Sequence, residues 1–344
     1  LEYRALEKKT ERNMIAILRT LRDAPSPLGA ERIAEHLAAA GTHLSERAVR
    51  NYLAQADING WTRNLGRRGR TLTAAGRQEV DGALVMDKVG FVAARVDALT
   101  FQMTFDPMSR RGTVILNVST LAMDDARAAM YEMGRVYDAN LGMGRLVFIG
   151  KPGEMVGDFR CPDGRILIGT ICSVSINGLF LRAKISTRSR FGGLLEIEDR
   201  QPKRFTQIIT YDGTSLDPLE IFIRGHMTSV SKAAQTGSGV IGASFREVPV
   251  AALSEVRRVA ALSERLGLGG VLAFGLPNQP LLDIPVAQGC AGLIVAGGLN
   301  PIGAVVETGI DTTSAAMHNL CDYSQLISYE CARDMLAPRR GFGV

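Results

Sequence analysis

The chain has 344 residues, with 46% hydrophobic and 22% charged, 37 Gly, 13 Pro and a single Trp; that length suits two or three domains, and that balance excludes disordered, collagen-like and low-complexity classes. Its five cysteines (Cys161, Cys172, Cys290, Cys321, Cys331) contain no C-x-x-C pair, and His36, His43, His226 and His318 show no ligand spacing; this points to reduced thiols in a cytoplasm and argues against a metal site. Residues 1–80 carry 14 Lys+Arg against 9 Asp+Glu, a net of +5, while residues 81–344 carry 26 of each, so the first quarter is the candidate partner of a polyanion.

Glu7 to Arg22 places Ile15, Leu18 and Leu21 on one helical face, and the prolines in Asp23-Ala-Pro-Ser-Pro end that helix. A second helix is predicted from Gly29 to Ala39, burying Ile33, Ala34 and Leu37. A third runs from its N-cap Ser45 to about Asn59, with Val49, Leu53 and Ala56 inward. On another face of that helix stand Arg47, Arg50 and Asn51. Two short strands, Trp61–Leu65 and Arg70–Thr73, flank the Gly66-Arg-Arg-Gly69 tip, and residues 61–77 hold five arginines and no acid.

Three helices followed by a basic hairpin is the winged form of the helix-turn-helix. The candidate DNA contacts are Ser45, Arg47, Arg50 and Asn51 on the third helix, and Arg63, Arg67, Arg68 and Arg70 on the wing. Arginine suits both tasks, as a bidentate donor to guanine and a delocalised partner of phosphate.

Val89, Val92, Val96, Leu99 and Met103 fall at helical spacing and predict a helix joining head to body. The body then repeats itself. A shift of 125 residues lays Leu141-Gly-Met-Gly-Arg on Leu266-Gly-Leu-Gly-Gly, with Pro152 on Pro277; a shift of 123 lays Gly169, Ile171 and Asn177 on Gly292, Ile294 and Asn300. The predicted fold is therefore α+β or α/β: a winged-helix head, then a regulatory body built from a duplicated α/β unit. The segments are 1–85 for the head, 86–105 for the connecting helix, 106–230 and 231–330 for the two copies, and 331–344 for a tail. Gly142 and Gly267, each between a helix and a strand, are expected to be helix C-caps.

The stretch Ile284–Val306 has no charged residue, but its glycines and prolines fit buried strands and turns better than a membrane span. Neither a dinucleotide fingerprint, a P-loop lysine nor a G-x-S-x-G elbow occurs. No catalytic constellation and no cofactor are implied. The polar, Gly-rich stretch from Arg188 to His226 is expected to form loops around a small-molecule pocket. Its candidate effector ligands are Arg188, Arg190, Gly192, Gly193, Tyr211, Thr214 and Arg224, the arginines suiting a carboxylate.

Several segments resemble the NrpR-type transcriptional regulators of nitrogen assimilation: Arg67-Arg-Gly-Arg-Thr-Leu-Thr-Ala-Ala-Gly76, Gly90-Phe-Val, Gly112-Thr-Val-Ile-Leu-Asn-Val-Ser119 and Ile176-Asn-Gly178 belong to the likeness. So do Phe191-Gly-Gly-Leu-Leu-Glu196, Tyr211-Asp-Gly-Thr-Ser-Leu-Asp-Pro-Leu-Glu-Ile-Phe222, Phe245-Arg-Glu-Val-Pro249 and Gly298-Leu-Asn-Pro-Ile302. The resemblance implies a homodimeric repressor that binds an operator in double-stranded DNA. It also implies 2-oxoglutarate as the anionic effector that releases the DNA. It carries no individual pocket residue. Two other readings stand beside it: a metabolite-binding protein or enzyme with an accessory winged helix, and an RNA-binding regulator.

Overall fold

The computed structural model describes residues 2–39, 41–83, 91–157 and 159–336, and the chain divides into two compact units, Leu1–Gly90 and Phe91–Val344. The first contains α1 (Glu2–Asp23), α2 (Ala30–Ala39), α3 (Glu46–Ile58), β1 (Thr62–Asn64), β2 (Arg70–Leu72) and α4 (Ala74–Ala83). The winged-helix order predicted from sequence is present. Ile17, Leu18, Ile33, Val49, Leu53 and Ala56 are fully buried in one cluster, so each helix turns an apolar stripe inward, with the expected Ile15 and Ala34 only partly buried against it. Thr73 ends no strand; its hydroxyl accepts from the backbone N–H of Gly76 and opens α4, a helix not anticipated.

The second unit begins with α5 (Val92–Gln102); residues 86–90 of the expected connecting helix lie outside the described residues. Then follow β3 (Thr113–Ala122), α6 (Ala126–Asp138), β4 (Leu146–Gly150), the β5–β6 hairpin (Met155–Val156, Phe159–Arg160), β7 (Arg165–Ile171), α7 (Ser175–Arg182) and β8 (Arg188–Glu198). After β9 (Gln201–Thr210), α8 (Pro218–Arg224) and α9 (Val230–Thr236), the pattern recurs. It runs through β10 (Gly239–Pro249), α10 (Leu253–Arg265), β11 (Val271–Phe274), β12 (Cys290–Ala296), α11 (Asn300–Glu307) and β13 (Thr312–Asp322), and β14 (Ile327–Ser328) and α12 (Tyr329–Met335) follow it.

Each copy is thus strand, helix, strand, strand, helix, strand, the split βαβ order of ferredoxin-like folds. Neither copy closes on itself. The sheets are β13-β3-β7-β4-β14 and β11-β12-β10-β8-β9, antiparallel throughout. β8, the last strand of the first copy, pairs with β10, the first strand of the second; β13 pairs with β3 in return. The second helix of each copy travels with its strand. α11 packs beside α6, with Leu299, Ile302 and Val305 among Met130, Met133 and Tyr137. On the other sheet, Ile176, Leu179 and Phe180 of α7 join Val256 and Val259 of α10. The repeat boundary read at residues 230 and 231 divides the sequence pattern, whereas each sheet is assembled from both copies.

Three local expectations need correction. Gly267 does follow α10 in the left-handed region (φ +70°), with Leu268 N–H donating to the Ser263 carbonyl. After α6, however, the left-handed residue is Asn140 (φ +57°), and Gly142 instead lies against Pro301. The stretch 188–210 forms the strands β8 and β9 rather than loops. β9 looked loop-like because it is an edge strand with most side chains in solvent, so it shows no apolar alternation. Finally, Cys331–Met335 of the expected tail belongs to α12, whose Tyr329 and Ala332 are buried; residues 337–344 lie outside the described residues.

Candidate nucleic-acid interface and effector region

In the head, Ser45 adopts extended backbone and its hydroxyl accepts from the Ala48 N–H at 3.2 Å, capping α3. Behind it Val49, Leu53 and Ala56 are buried; on the outer side Arg47, Arg50 and Asn51 are exposed together. Arg50 also reaches Glu46 at 2.5 Å, a solvent-exposed pair one turn apart that is worth only about 0.3–0.5 kcal/mol and yields readily to a phosphate.

The wing is stiffened by close backbone approach. Leu28 exchanges two backbone hydrogen bonds with Arg70, and a side chain at Gly69 would collide with the Leu28 carbonyl. Arg63, Arg67 and Arg68 are exposed, the last two on the single 3-10 turn between the strands. Arg70 differs. Its Nε donates to Asp57 Oδ2 at 2.9 Å, and Thr62 donates to the other oxygen of the same carboxylate. Arg70 therefore braces the wing against the last turn of α3.

The seven effector candidates do not converge. Arg188 is exposed near the start of β8. Arg190 donates to Glu247 at 2.9 Å and to the Pro285 carbonyl. Gly192 and Gly193 lie inside β8, where added side chains would strike Pro218 and the Gln207 carbonyl; they serve strand packing. The Thr214 hydroxyl closes a turn on Leu216, and the Thr214 carbonyl accepts from Val92 N–H at 2.9 Å, fastening α5 to this segment. Arg224 pairs with Glu220 and lines an open groove of about 370 Å³ with Ile223, His226, Val306 and Asp311.

Only Tyr211 points to a more unusual place. It is buried beside Cys172, Ser173, Asn117 and Asp217 at a small pocket of about 10 Å³. Burial raises the Tyr211 hydroxyl, pushes the Cys172 thiol up to about 12 and the Asp217 carboxyl up to about 6. Asp217 still accepts two backbone hydrogen bonds, from Leu219 and Glu220, as the cap of α8. Next to this group lies Arg246 of β10, 1% exposed, which sequence reasoning passed over. The signal was available: an Arg-Glu pair within the run from Ile241 to Val248, most of whose residues are apolar or small, puts a charge on each face of a central strand. Among the described residues, no group of His, Cys, Asp and Glu is arranged to hold a metal ion, and no helix is long and apolar enough to cross a membrane.

Comparison with known proteins agrees with this architecture. The family model for NrpR regulatory domains NRD1 and 2 matches residues 89–328, and that of the ribonuclease R winged-helix domain matches residues 15–80. The chain is 35% identical to the global nitrogen regulator NrpRI of Methanosarcina mazei, over 93% of this chain and 99% of that one. It is 28% identical to the global nitrogen regulator NrpR of Methanococcus maripaludis, over 91% of this chain and 54% of that protein, so it spans about half of this longer relative. A crystal structure of a nitrogen repressor-like protein from Methanococcus jannaschii superposes with a TM-score of 0.59 at 29% identity, covering 70% of this chain and 98% of that one. A winged-helix head followed by matched regulatory domains places the chain in the NrpR family, whose members are transcriptional regulators rather than enzymes.

Proposed function

We propose that this nitrogen regulator is a homodimeric repressor, cytoplasmic, that binds an operator in double-stranded DNA through α3 and the wing. A small anionic metabolite, 2-oxoglutarate first among candidates, binds the body and releases the DNA. The observation that carries the reading is the outer face of α3. Arg47, Arg50 and Asn51 stand exposed on a helix whose opposite face is the core of the head, with Arg67 and Arg68 exposed at the tip of the wing. The relatives named as global nitrogen regulators support the nitrogen-assimilation role. Two heads on one duplex would multiply a modest single-head affinity through effective concentration. The operator is then a near-palindrome with half-sites one or more helical turns apart.

The match to a ribonuclease R winged-helix domain makes RNA the specific competitor. Titrating full-length protein onto duplex DNA from its own regulated promoters, onto scrambled duplex and onto single-stranded RNA decides between them. Preference for the promoter duplex, weakened at millimolar 2-oxoglutarate, is the expected result. Preference for RNA overturns the DNA reading. Light scattering that finds a stable monomer bound tightly to operator removes the dimer.

A further inference from the structure

Residues 45–56 of the head hold a single acid, Glu46, and residues 61–77 hold none. The other acid of α3, Asp57, is engaged by Thr62 and Arg70. Glu46 opens α3 directly after the cap Ser45, and its Oε1 accepts from Arg50 Nη2 at 2.5 Å. The two side chains are 42% and 67% exposed, so the pair belongs to the surface that also presents Arg47 and Asn51. A carboxylate on a surface offered to a polyanion opposes the phosphates. An acid in the first turn does favour the helix dipole, but any position of that turn serves for this, and Ser45 already satisfies the Ala48 N–H. What the place of Glu46 adds is reach: one turn before Arg50, it holds that guanidinium from one side. It occupies one hydrogen of Nη2, so Nη1 and the second Nη2 hydrogen remain for the bidentate pair that an arginine makes with guanine.

We propose that Glu46 is a specificity-determining residue of the DNA-binding head, holding Arg50 as a base-reading group and penalising duplexes on which Arg50 turns to a phosphate. The proposal rests on the DNA reading above and deepens it. On a matching site, guanine takes the remaining donors of Arg50 while the pair with Glu46 is kept, so the carboxylate stays neutralised in the groove. On any other duplex Arg50 leaves Glu46 for a phosphate, and the carboxylate is left bare. The pair itself is weak; the penalty comes from the stranded charge, which then faces the dense negative charge of the duplex. Discrimination is thereby gained by repelling the wrong partner as well as by contacting the right one.

The test is a double-mutant cycle in the full chain: parent, Glu46→Gln, Arg50→Ala and the combined variant, each titrated onto duplex DNA from its regulated promoters and onto scrambled duplex. Glu46→Gln should tighten the scrambled duplex about fivefold more than the promoter duplex, so that discrimination falls by that factor. In the Arg50→Ala background the same substitution should tighten both duplexes alike. Trp61 fluorescence checks that each variant is folded, and Glu46→Ala, which has no acceptor but keeps helix propensity, is the second variant and should give the same loss of discrimination. Equal tightening of both duplexes while Arg50 is present reduces Glu46 to an ordinary surface charge and overturns the proposal, as does any gain in discrimination. A loss of discrimination that persists without Arg50 makes Glu46 a reader of bases in its own right and overturns the pairing. Weaker binding of both duplexes with earlier melting leaves Glu46 as a helix-terminal stabiliser only, which also overturns it. In each of these cases the DNA reading stands. A parent protein that favours the promoter duplex in no measurable degree overturns that reading and the proposal with it.

Discussion

Gly144 donates its backbone N–H to the carbonyl of Gly269, the residue that occupies its own position in the second copy of the repeat. Arg145 N–H donates likewise to the Gly267 carbonyl at 3.1 Å, so two equivalent turns meet backbone to backbone where the exchanged copies join. This meeting explains why glycines were the clearest part of the repeat. Gly144 has φ +61°, and a side chain there would overlap the Gly267 carbonyl oxygen.

Substitution at this junction should therefore be severe. Gly144→Ala is expected to destabilise the body by at least about 3 kcal/mol, combining a left-handed backbone with a steric collision. Gly164→Ala is the control: it shares the left-handed backbone (φ +72°) with open space around it, and should cost about 1–2 kcal/mol. Denaturant unfolding followed by circular dichroism compares the two, and equal losses would show that the turns do not meet as described.

The exchange of helix and strand predicts how the body can be divided. A first half ending at residue 230 lacks β13 beside β3 and carries β8 without β10. Either half alone should be unfolded or aggregated, because it exposes central strand edges and the apolar faces of α6 or α10. Produced together, the halves should copurify as one folded species on size exclusion. Two halves that each unfold cooperatively on their own would contradict the observed pairing.

The arginines of the head should sort into three kinds. Arg47→Ala or Arg50→Ala should erode operator discrimination by about 1–3 kcal/mol at each base pair that the arginine reads. Arg67→Ala or Arg68→Ala should weaken every duplex alike and lower the salt slope by about 1. Arg70→Ala should act on stability, costing the head about 1 kcal/mol through its half-buried pair with Asp57. Trp61, the one tryptophan of the chain, lies in the head and reports that unfolding by fluorescence. Salt-dependent operator titrations of the same variants complete the sorting.

Asp217 should make the body's stability depend on pH. Its folded carboxyl is raised from 3.8 to about 6 by burial. The folded state then holds more protons than the unfolded one between those values, so this group's stabilisation is full below pH 3.8 and is lost as pH rises through about 6. Asp217→Asn keeps a good helix cap and removes the charge, so it should be more stable than the parent at pH 7.5 by up to about 2 kcal/mol. Near pH 4 the two should melt together. A constant difference from pH 4 to 8 would show that the carboxyl is solvated.

Local chemistry was enough to establish the head. The stripes Ile33–Leu37 and Val49–Ala56, the cap Ser45 and the glycines around Arg67 and Arg68 each act within a turn or two of chain, and their structural consequences follow from neighbouring residues alone. The duplication of the body was legible for the same reason, because Gly142, Gly144, Gly267 and Gly269 recur at a fixed spacing. Which strand pairs with which was not legible. β8 carries the same apolar pattern whether it closes its own sheet or its neighbour's, and only packing more than forty residues away decides the choice. The partners of the effector candidates were hidden on the same ground. Arg190 and Arg224 look like free cations in sequence, yet the folded chain gives them Glu247 and Glu220; Arg246 looks like an ordinary strand residue, yet the second sheet closes over it and leaves its charge unanswered. Periodicity reports which side of an element faces inward, whereas the partner a buried charge meets there is set by chain that is distant in sequence.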